Sequence, residues 1–211
     1  MNARLLYVMD PMCSWCWGFA PVFAALAAQA AAAGVPAQLL VGGLRAGSVQ
    51  PLDAATRSYI LEHWQAVAER TGQAFRFADA LPQGFVYDTE PACRALAVAR
   101  ELAPQRLWAL LEAIQRAFYV EGRDVSRAAV LVELAEAAGV PRQAFAAAFD
   151  GAAARAATQA DFQRAANLGI AGFPTLLAER NGQLALLTNG YQPLESLAPL
   201  LQRWLEQRAR G

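Results

Sequence analysis

Asp10-Pro11-Met12-Cys13-Ser14-Trp15-Cys16-Trp17-Gly18-Phe19 joins a short apolar run to a long alanine-rich segment. The run before it, residues 5–9 (Leu-Leu-Tyr-Val-Met), has the length and composition of a buried strand. The segment from Cys13 to about residue 33 lacks strand alternation and is rich in helix-forming residues. We therefore predict that the Cys-x-x-Cys pair lies where a strand is followed by a helix.

This placement predicts redox chemistry for the two cysteines. Residues three apart in a helix share one face, so Cys13 and Cys16 could form a disulfide with little backbone movement. Cys13 would stand in the first turn, where free N–H groups and the helix dipole favour the thiolate, the reactive form. Cys16 would lie one turn further and be more covered. We expect Cys13 to attack a substrate disulfide and Cys16 to resolve the mixed disulfide.

A Cys-x-x-Cys pair alone also fits half of a zinc site or two unrelated core cysteines. Cys13, Cys16, Cys93 and the single histidine, His63, would supply the four ligands of a structural zinc site. The spacing offers no second close pair, so we expect no metal. We interpret Cys93 as a buried thiol that packs like a small apolar residue. The alternative is that Cys93 is a third redox-active cysteine. Asp10 could relay a proton during disulfide formation or accept hydrogen bonds from backbone N–H groups.

A second notable stretch is Gly169-Ile170-Ala171-Gly172-Phe173-Pro174-Thr175, which precedes another apolar run. Its glycine-rich approach to a proline at the start of a strand suits a special turn, including one with a cis bond.

These two stretches resemble the DsbA-like thioredoxin-fold family, in its FrnE-like branch of predicted protein disulfide isomerases. The resemblance implies that Cys13 is the nucleophile, that Cys16 resolves, and that Pro174 is cis and packs beside the pair. It also implies that Phe173 offers backbone groups to an extended substrate. The residues between the cysteines are Ser-Trp and not the Pro-His of the best-known oxidases, so strong oxidising power is not expected.

Aromatic side chains crowd the cysteine pair. We predict that Trp15, between the cysteines, forms an exposed apolar platform for a substrate, and that Trp17 and Phe19 belong to the core. The predicted substrate-binding residues are Ser14, Trp15, Phe173 and Pro174.

The composition excludes several classes of function. Of 211 residues 56% are hydrophobic, and 18 basic and 18 acidic residues give a net charge of +0, so we expect neither nucleic acid nor membrane as a partner. All basic residues are arginine, which excludes Schiff-base chemistry on lysine and a Walker lysine. We see no secretory signal and no apolar stretch of membrane-spanning length, and therefore expect a cytoplasmic protein.

The order of elements predicts an α/β fold, a thioredoxin-like mixed sheet flanked by helices with a large all-helical insertion. We place the discontinuous thioredoxin-like domain at residues 1–46 and 151–211 and the insertion at residues 47–150. Residues 37–41 form the second predicted strand, Asn181-Gly182 a two-residue hairpin turn, and residues 207–211 a frayed tail. Ser126 is the predicted cap of one inserted helix. The predicted helices cover residues 13–33, 56–71, 91–102, 107–118, 126–139, 141–149, 152–168 and about 197–205.

The predicted function is thiol–disulfide exchange with a disulfide- or thiol-containing protein or with glutathione. No bound cofactor is expected because Cys13 and Cys16 carry the electrons, and glutathione is a possible reductant. One alternative is a glutathione-dependent transferase or isomerase, since the chain also resembles kappa-class glutathione transferases and hydroxychromene-carboxylate isomerases. Those enzymes usually carry serine at the position of Cys13. A metal-bound or redox-sensing binding protein is the other alternative, and no oligomeric state is predicted.

Overall fold

The structure is a computed structural model that describes residues 3–207. Within this range the chain forms four strands, eight α-helices and a short 3-10 helix at Pro104–Arg106. The strands are β1 (Ala3–Met9), β2 (Ala37–Val41), β3 (Thr175–Arg180) and β4 (Gln183–Asn189). The helices are α1 (Ser14–Ala32), α2 (Ala54–Thr71), α3 (Glu90–Leu102), α4 (Leu107–Tyr119), α5 (Ala128–Ala137), α6 (Arg142–Phe149), α7 (Ala152–Asn167) and α8 (Leu194–Glu206).

The four strands form one mixed sheet in the order β2-β1-β3-β4. β1 pairs in parallel with β2 and antiparallel with β3, and β3 continues antiparallel into β4. A two-residue turn joins β3 to β4, with φ values of 50° at Asn181 and 82° at Gly182. Positive φ at both positions is what a tight hairpin of this kind requires, which explains the Asn-Gly sequence.

Alternating side chains of β1 divide the core between the two faces of the sheet. Leu5, Tyr7 and Met9 belong to the large cluster that also holds buried residues of α1 and α8. Leu6 and Val8 belong to a smaller cluster with residues of β2, β3 and α7. The central strand is therefore buried on both faces, and the helix that follows it is held firmly against the sheet.

An ion pair ties the inserted helices to the edge of the sheet. Arg100 of α3 donates to Asp161 of α7 at 2.7 Å and to the Leu39 carbonyl of β2 at 3.2 Å. Asp161 in turn accepts the Val41 N–H at 3.3 Å. Because these side chains satisfy backbone groups of an edge strand, they fix α3 and α7 relative to β2.

The thioredoxin-like α/β fold is confirmed, and most predicted boundaries agree with the structure to within a few residues. The cap at Ser126 is wrong. Arg127 is the N-cap of α5, and the Ser126 hydroxyl instead donates to Asp124. The division into two domains stays a prediction. Residues 1–2 and most of the tail predicted to fray, residues 208–211, lie outside the described part of the chain.

The expectation that no stretch is long and apolar enough to span a bilayer is wrong for α1, judged by length and composition alone. This helix nevertheless packs in the protein core, with 44% of its apolar window buried. Phe19, Phe23 and Leu26 on α1 contact the same cluster as β1. Its apolar character therefore matches its contacts with the sheet, α2 and α8.

Candidate active site

Cys13 is the N-cap residue of α1. Its φ and ψ of −88° and 118° are still extended, while its carbonyl already accepts the N–H groups of Cys16 at 3.0 Å and Trp17 at 3.1 Å. The buried strand β1 ends at Met9, shortly before Cys13, and α1 begins at Ser14. The sequence placed Cys13 within the first turn, and the structure places it directly before that turn. The nucleophile expected there faces the unpaired N–H end of a 19-residue helix.

The two thiols differ in their access to solvent. Cys13 keeps 5% of its surface exposed, and Cys16 is completely buried. Both are free thiols in this structure and lie close together. The Cys13 thiol donates to the Phe173 carbonyl, with 3.7 Å between sulfur and oxygen. Only Cys13 of the pair can therefore be approached by a reagent without movement of the helix.

Burial raises the pKa of Cys16 well above the ordinary thiol value. A hydrogen bond to Cys13 and the negative charge of a Cys13 thiolate raise the pKa of Cys16 further. A thiol that donates to a neighbouring thiolate stabilises that thiolate and remains protonated itself. The surroundings thus favour the protonated form of Cys16.

Asp10 stabilises the turn that precedes the cysteine pair. Its completely buried carboxylate accepts the Met12 N–H at 2.8 Å through one oxygen and the Leu44 N–H at 2.7 Å through the other. The second oxygen also accepts the thiol of Cys93 at 3.5 Å. Burial raises the pKa of Asp10, and the hydrogen bonds oppose that rise. Of the two roles considered for Asp10, these contacts match the acceptance of backbone hydrogen bonds.

The four residues considered for zinc binding do not form a metal site. Cys93 is completely buried and bonded to Asp10, and the His63 ring lies on α2 with its centroid 4.2 Å from that of Tyr59. Among residues 3–207, no group of three or more His, Cys, Asp or Glu side chains could hold a metal ion.

The proline loop contacts the cysteine pair from the other end of the chain. The Phe173–Pro174 peptide bond is cis, and the Pro174 carbonyl accepts the Gly190 N–H at 2.7 Å. The Phe173 ring lies on Gly42 at the end of β2, where a Cβ atom would come within 2.0 Å of the ring. Gly42 therefore allows the close approach that presents the Phe173 backbone to Cys13.

A cleft of about 410 Å³ lies beside the pair, lined by Trp15, Arg70, Phe173, Gly190 and Tyr191. The rings of Trp15 and Tyr191 are 5.8 Å apart, and Trp15 is half-buried where the sequence predicted an exposed ring. Arg70 is exposed, and its side chain makes no hydrogen bond or ion pair with any residue between 3 and 207. The cleft thus combines apolar walls with one unpaired positive charge.

Contacts between α1 and α2 place Arg70 at this cleft. A Cβ atom on Gly18 would come within 2.8 Å of Val67, so the two helices touch where glycine leaves room. The Trp17 indole donates to the Ala74 carbonyl at 3.0 Å, and Gln73 donates to the Trp17 carbonyl at 2.9 Å. The last turn of α2 is thereby fixed next to the first turn of α1.

The sequence profile described as a DSBA-like thioredoxin domain matches residues 4–202. The chain belongs to this family. No curated protein matches it.

Solved structures of other proteins extend the comparison for this DsbA-like chain. A candidate protein disulfide isomerase from Nitrosomonas europaea is 43% identical, with a TM-score of 0.92 and coverage of 98% of this chain and 99% of that one. The cytosolic disulfide reductase DsbM from Pseudomonas aeruginosa is 32% identical, with a TM-score of 0.77 and 98% of each chain covered. DsbM has also been solved with GSH.

A 2-hydroxychromene-2-carboxylate isomerase shares the fold at a TM-score of 0.68 and 15% identity, with 98% of each chain covered. At this identity the similarity between the isomerase and the DsbA-like chain concerns the fold alone.

Three features of this DsbA-like site were missed in the sequence. Arg70 and Tyr191 reach the cleft from α2 and from the loop after β4, and no local pattern marks either residue. Gly42 directly follows the second predicted strand, and its contact with the Phe173 ring was not predicted. A pair of glycines directly after a buried strand could have indicated close approach by another segment.

Alkylation should separate the three thiols in the DsbA-like site. We expect iodoacetamide to modify Cys13 first and to leave Cys16 and Cys93 unmodified at the same pH, because only thiolates react and both other thiols are completely buried. Burial raises the pKa of both Cys16 and Cys93, so each becomes a thiolate only at still higher pH. Peptide mass spectrometry of briefly treated, reduced protein gives the order, and labelling of Cys16 before Cys13 would reverse the roles.

Proposed function

We propose that this protein is a glutathione-linked thiol–disulfide oxidoreductase that reduces or isomerises disulfides in extended protein or peptide substrates in the cytosol. One observation supports this most strongly. A cysteine that reaches solvent at a helix N-terminus is followed, one turn later, by a fully buried cysteine whose pKa is raised.

In the first step Cys13, as the thiolate, attacks one sulfur of the substrate disulfide. The Cys13–substrate bond forms as the substrate disulfide breaks, and the second substrate sulfur leaves as a thiolate that takes up a proton. Once Cys13 is bonded to the substrate it carries no negative charge. One of the causes that raise the pKa of Cys16 is then removed.

In the second step Cys16 loses its proton and attacks the sulfur of Cys13. The Cys13–Cys16 disulfide forms and the first substrate sulfur leaves as a thiol, so the substrate has gained two electrons and two protons. Two glutathione molecules then reduce the Cys13–Cys16 disulfide and become glutathione disulfide. If another substrate thiol attacks the mixed disulfide instead of Cys16, the result is isomerisation.

Two considerations support the reducing direction. Ser14 and Trp15 occupy the positions between the cysteines, so no histidine is present there to stabilise the thiolate and favour oxidation of substrates. DsbM, at 32% identity over nearly the whole chain, is a cytosolic disulfide reductase that has been solved with GSH. A reducing cytosol would keep the pair in its thiol form.

The cleft beside Cys13 supports binding of an extended thiol peptide. Phe173 offers backbone groups next to the Cys13 sulfur, and Trp15 and Tyr191 provide apolar walls. Arg70 offers a positive charge that no described carboxylate neutralises, so a carboxylate of the substrate could pair with it. Glutathione, a small peptide thiol with two carboxylates, satisfies both requirements.

Insulin reduction with glutathione as the electron donor tests this function. We expect rapid precipitation of the insulin B chain by the purified protein, and little conjugation of glutathione to chlorodinitrobenzene. The opposite pattern, conjugation without insulin reduction, would favour the transferase alternative and overturn the proposal.

Replacing Arg70 by glutamine should weaken glutathione binding without altering the chemistry. We expect the KM for glutathione to rise about three- to fivefold at low salt with kcat unchanged, as for an exposed ion pair, and the difference to shrink as salt is added. Arg155→Gln is the matched control, because Arg155 is an exposed arginine on α7 that does not line the cleft. An equal change in the KM for glutathione in both variants, or no change in Arg70→Gln, would show that Arg70 does not contribute to glutathione binding.

A further inference from the structure

A second cavity of about 430 Å³ opens between α1 and α4, and we call it the interhelical cavity. It shares no lining residue with the cleft beside Cys13. Its floor includes the buried residues Tyr7 and Gln115, and its mouth includes the exposed residues Pro21, Ala24 and Glu112. The volume is within the range of small-molecule sites in proteins, roughly 300–1,000 Å³.

Small side chains on α1 create this space. Ala20, Ala24 and Ala27 recur at helical spacing on the stripe that faces α4, and all three line the cavity. A larger residue at any of these positions would fill it. The small alanine side chains on this face of α1 therefore leave the space that forms the cavity.

Aromatic rings form much of the wall. Trp17, Phe23 and Trp108 line the cavity, and the ring centroids of Phe23 and Trp108 lie 5.1 Å apart. Tyr7 stacks on the other side of Phe23 at 4.1 Å. Flat apolar walls of this kind favour a ligand with aromatic rings.

Two buried polar groups in the floor lack a hydrogen-bond partner among residues 3–207, namely the Tyr7 hydroxyl and the Gln115 amide nitrogen. Gln115 is only 2% exposed, and its amide nitrogen donates no hydrogen bond to any atom of the described chain. A buried donor without an acceptor is unfavourable, so a ligand that supplies an acceptor gains from pairing with it. None of the lining residues in the described range is basic, and Glu112 at the mouth is acidic, which disfavours an anionic ligand.

We propose that the interhelical cavity binds a neutral two-ring aromatic ketone, with its carbonyl oxygen accepting from the Gln115 amide and its rings between Trp17 and Trp108. Binding at this cavity does not depend on thiol–disulfide exchange, although Cys16, in addition to burial, raises the pKa of Tyr7 in its floor. Its occupancy can therefore be tested whether or not the proposed activity holds.

Equilibrium dialysis of the full chain with benzophenone and with diphenylmethane tests the proposal. The two probes have the same rings, and only benzophenone carries a carbonyl. We expect benzophenone to bind at least about fivefold more tightly than diphenylmethane, as one hydrogen bond would provide. Failure to bind benzophenone, or equal affinity for both probes, overturns the proposal.

Two variants locate the binding. Gln115→Leu removes the donor at similar volume, so the preference for benzophenone should disappear while diphenylmethane binding is retained. Ala24→Trp adds a bulky ring at the exposed mouth and should abolish binding of both probes. Circular dichroism checks that each variant is folded. If the preference survives Gln115→Leu, or if binding survives in folded Ala24→Trp, the assigned site is wrong.

Discussion

Replacing Cys13 by serine should lower insulin reduction by at least about a hundredfold, because serine cannot form the covalent bond to substrate sulfur. Cys16→Ser should instead stop the reaction after the first step, the attack of Cys13 on the substrate disulfide. Its Cys13 can still attack, but no resolving thiol follows, so a stable mixed disulfide accumulates. Each variant loses one sulfur atom, one at the N-cap of α1 and the other one turn into the helix, so the two serve as controls for each other.

Mass spectrometry of each variant after incubation with glutathione disulfide provides the measurement. Cys16→Ser should gain one glutathione on Cys13, and Cys13→Ser should gain none, because its remaining thiols at Cys16 and Cys93 are buried. A glutathione adduct on Cys16 in Cys13→Ser, at a rate similar to that of Cys13 in the other variant, would contradict the assigned roles.

Asp10→Ala should reduce the free energy of unfolding by about 2–6 kcal/mol, because two backbone N–H groups lose their acceptor and each unpaired donor costs about 1–3 kcal/mol. The donors are those of Met12 and Leu44, and they hold the turn before Cys13 and the segment after β2. Urea unfolding measures the difference. Asp53→Ala is the matched control, since Asp53 caps α2 through a 2.7 Å bond from Thr56 but is exposed, and its loss should be smaller.

The same variant has a defined pH dependence. Burial raises the pKa of Asp10 in the folded protein above its ordinary value, so the folded state binds the proton more tightly than the unfolded state. The contribution of Asp10 to stability is then largest below the ordinary pKa and declines as pH rises through the folded-state pKa. The stability gap between wild type and Asp10→Ala should therefore widen as pH falls from neutral into this window. If this difference in stability narrows as pH falls, the folded protein favours the charged carboxylate of Asp10.

Local sequence signals were sufficient for most of the fold. The β2 strand at Ala37–Val41 lies between a Gly-Val-Pro stop and two glycines, and the Asn181-Gly182 turn needs positive φ that few other residues adopt. Cys13 was assigned to a helix start because a buried strand and a run of helix formers meet there. Such features depend on neighbours in the sequence, so they can be read without the tertiary structure.

The parts that could not be predicted depend on contacts between distant segments. Arg70 reaches the cleft only because α2 docks on Gly18, and the ring of Phe173 rests on Gly42 from more than a hundred residues away. The choice between two roles for Asp10 required the contact with Leu44, which no spacing rule indicates. Ser126 failed as a cap because Asp124, two residues earlier, uses its hydroxyl.

The proposed function requires that Cys13 and Cys16 form and break a disulfide reversibly at a reducing potential. Equilibration of the protein with mixtures of glutathione and glutathione disulfide, followed by acid trapping and mass spectrometry, measures this directly. We expect a single two-electron transition between dithiol and Cys13–Cys16 disulfide, at a potential near the thioredoxin value of about −270 mV. The absence of a Cys13–Cys16 disulfide at every ratio, or a potential near the DsbA value of about −120 mV, would contradict the proposed function.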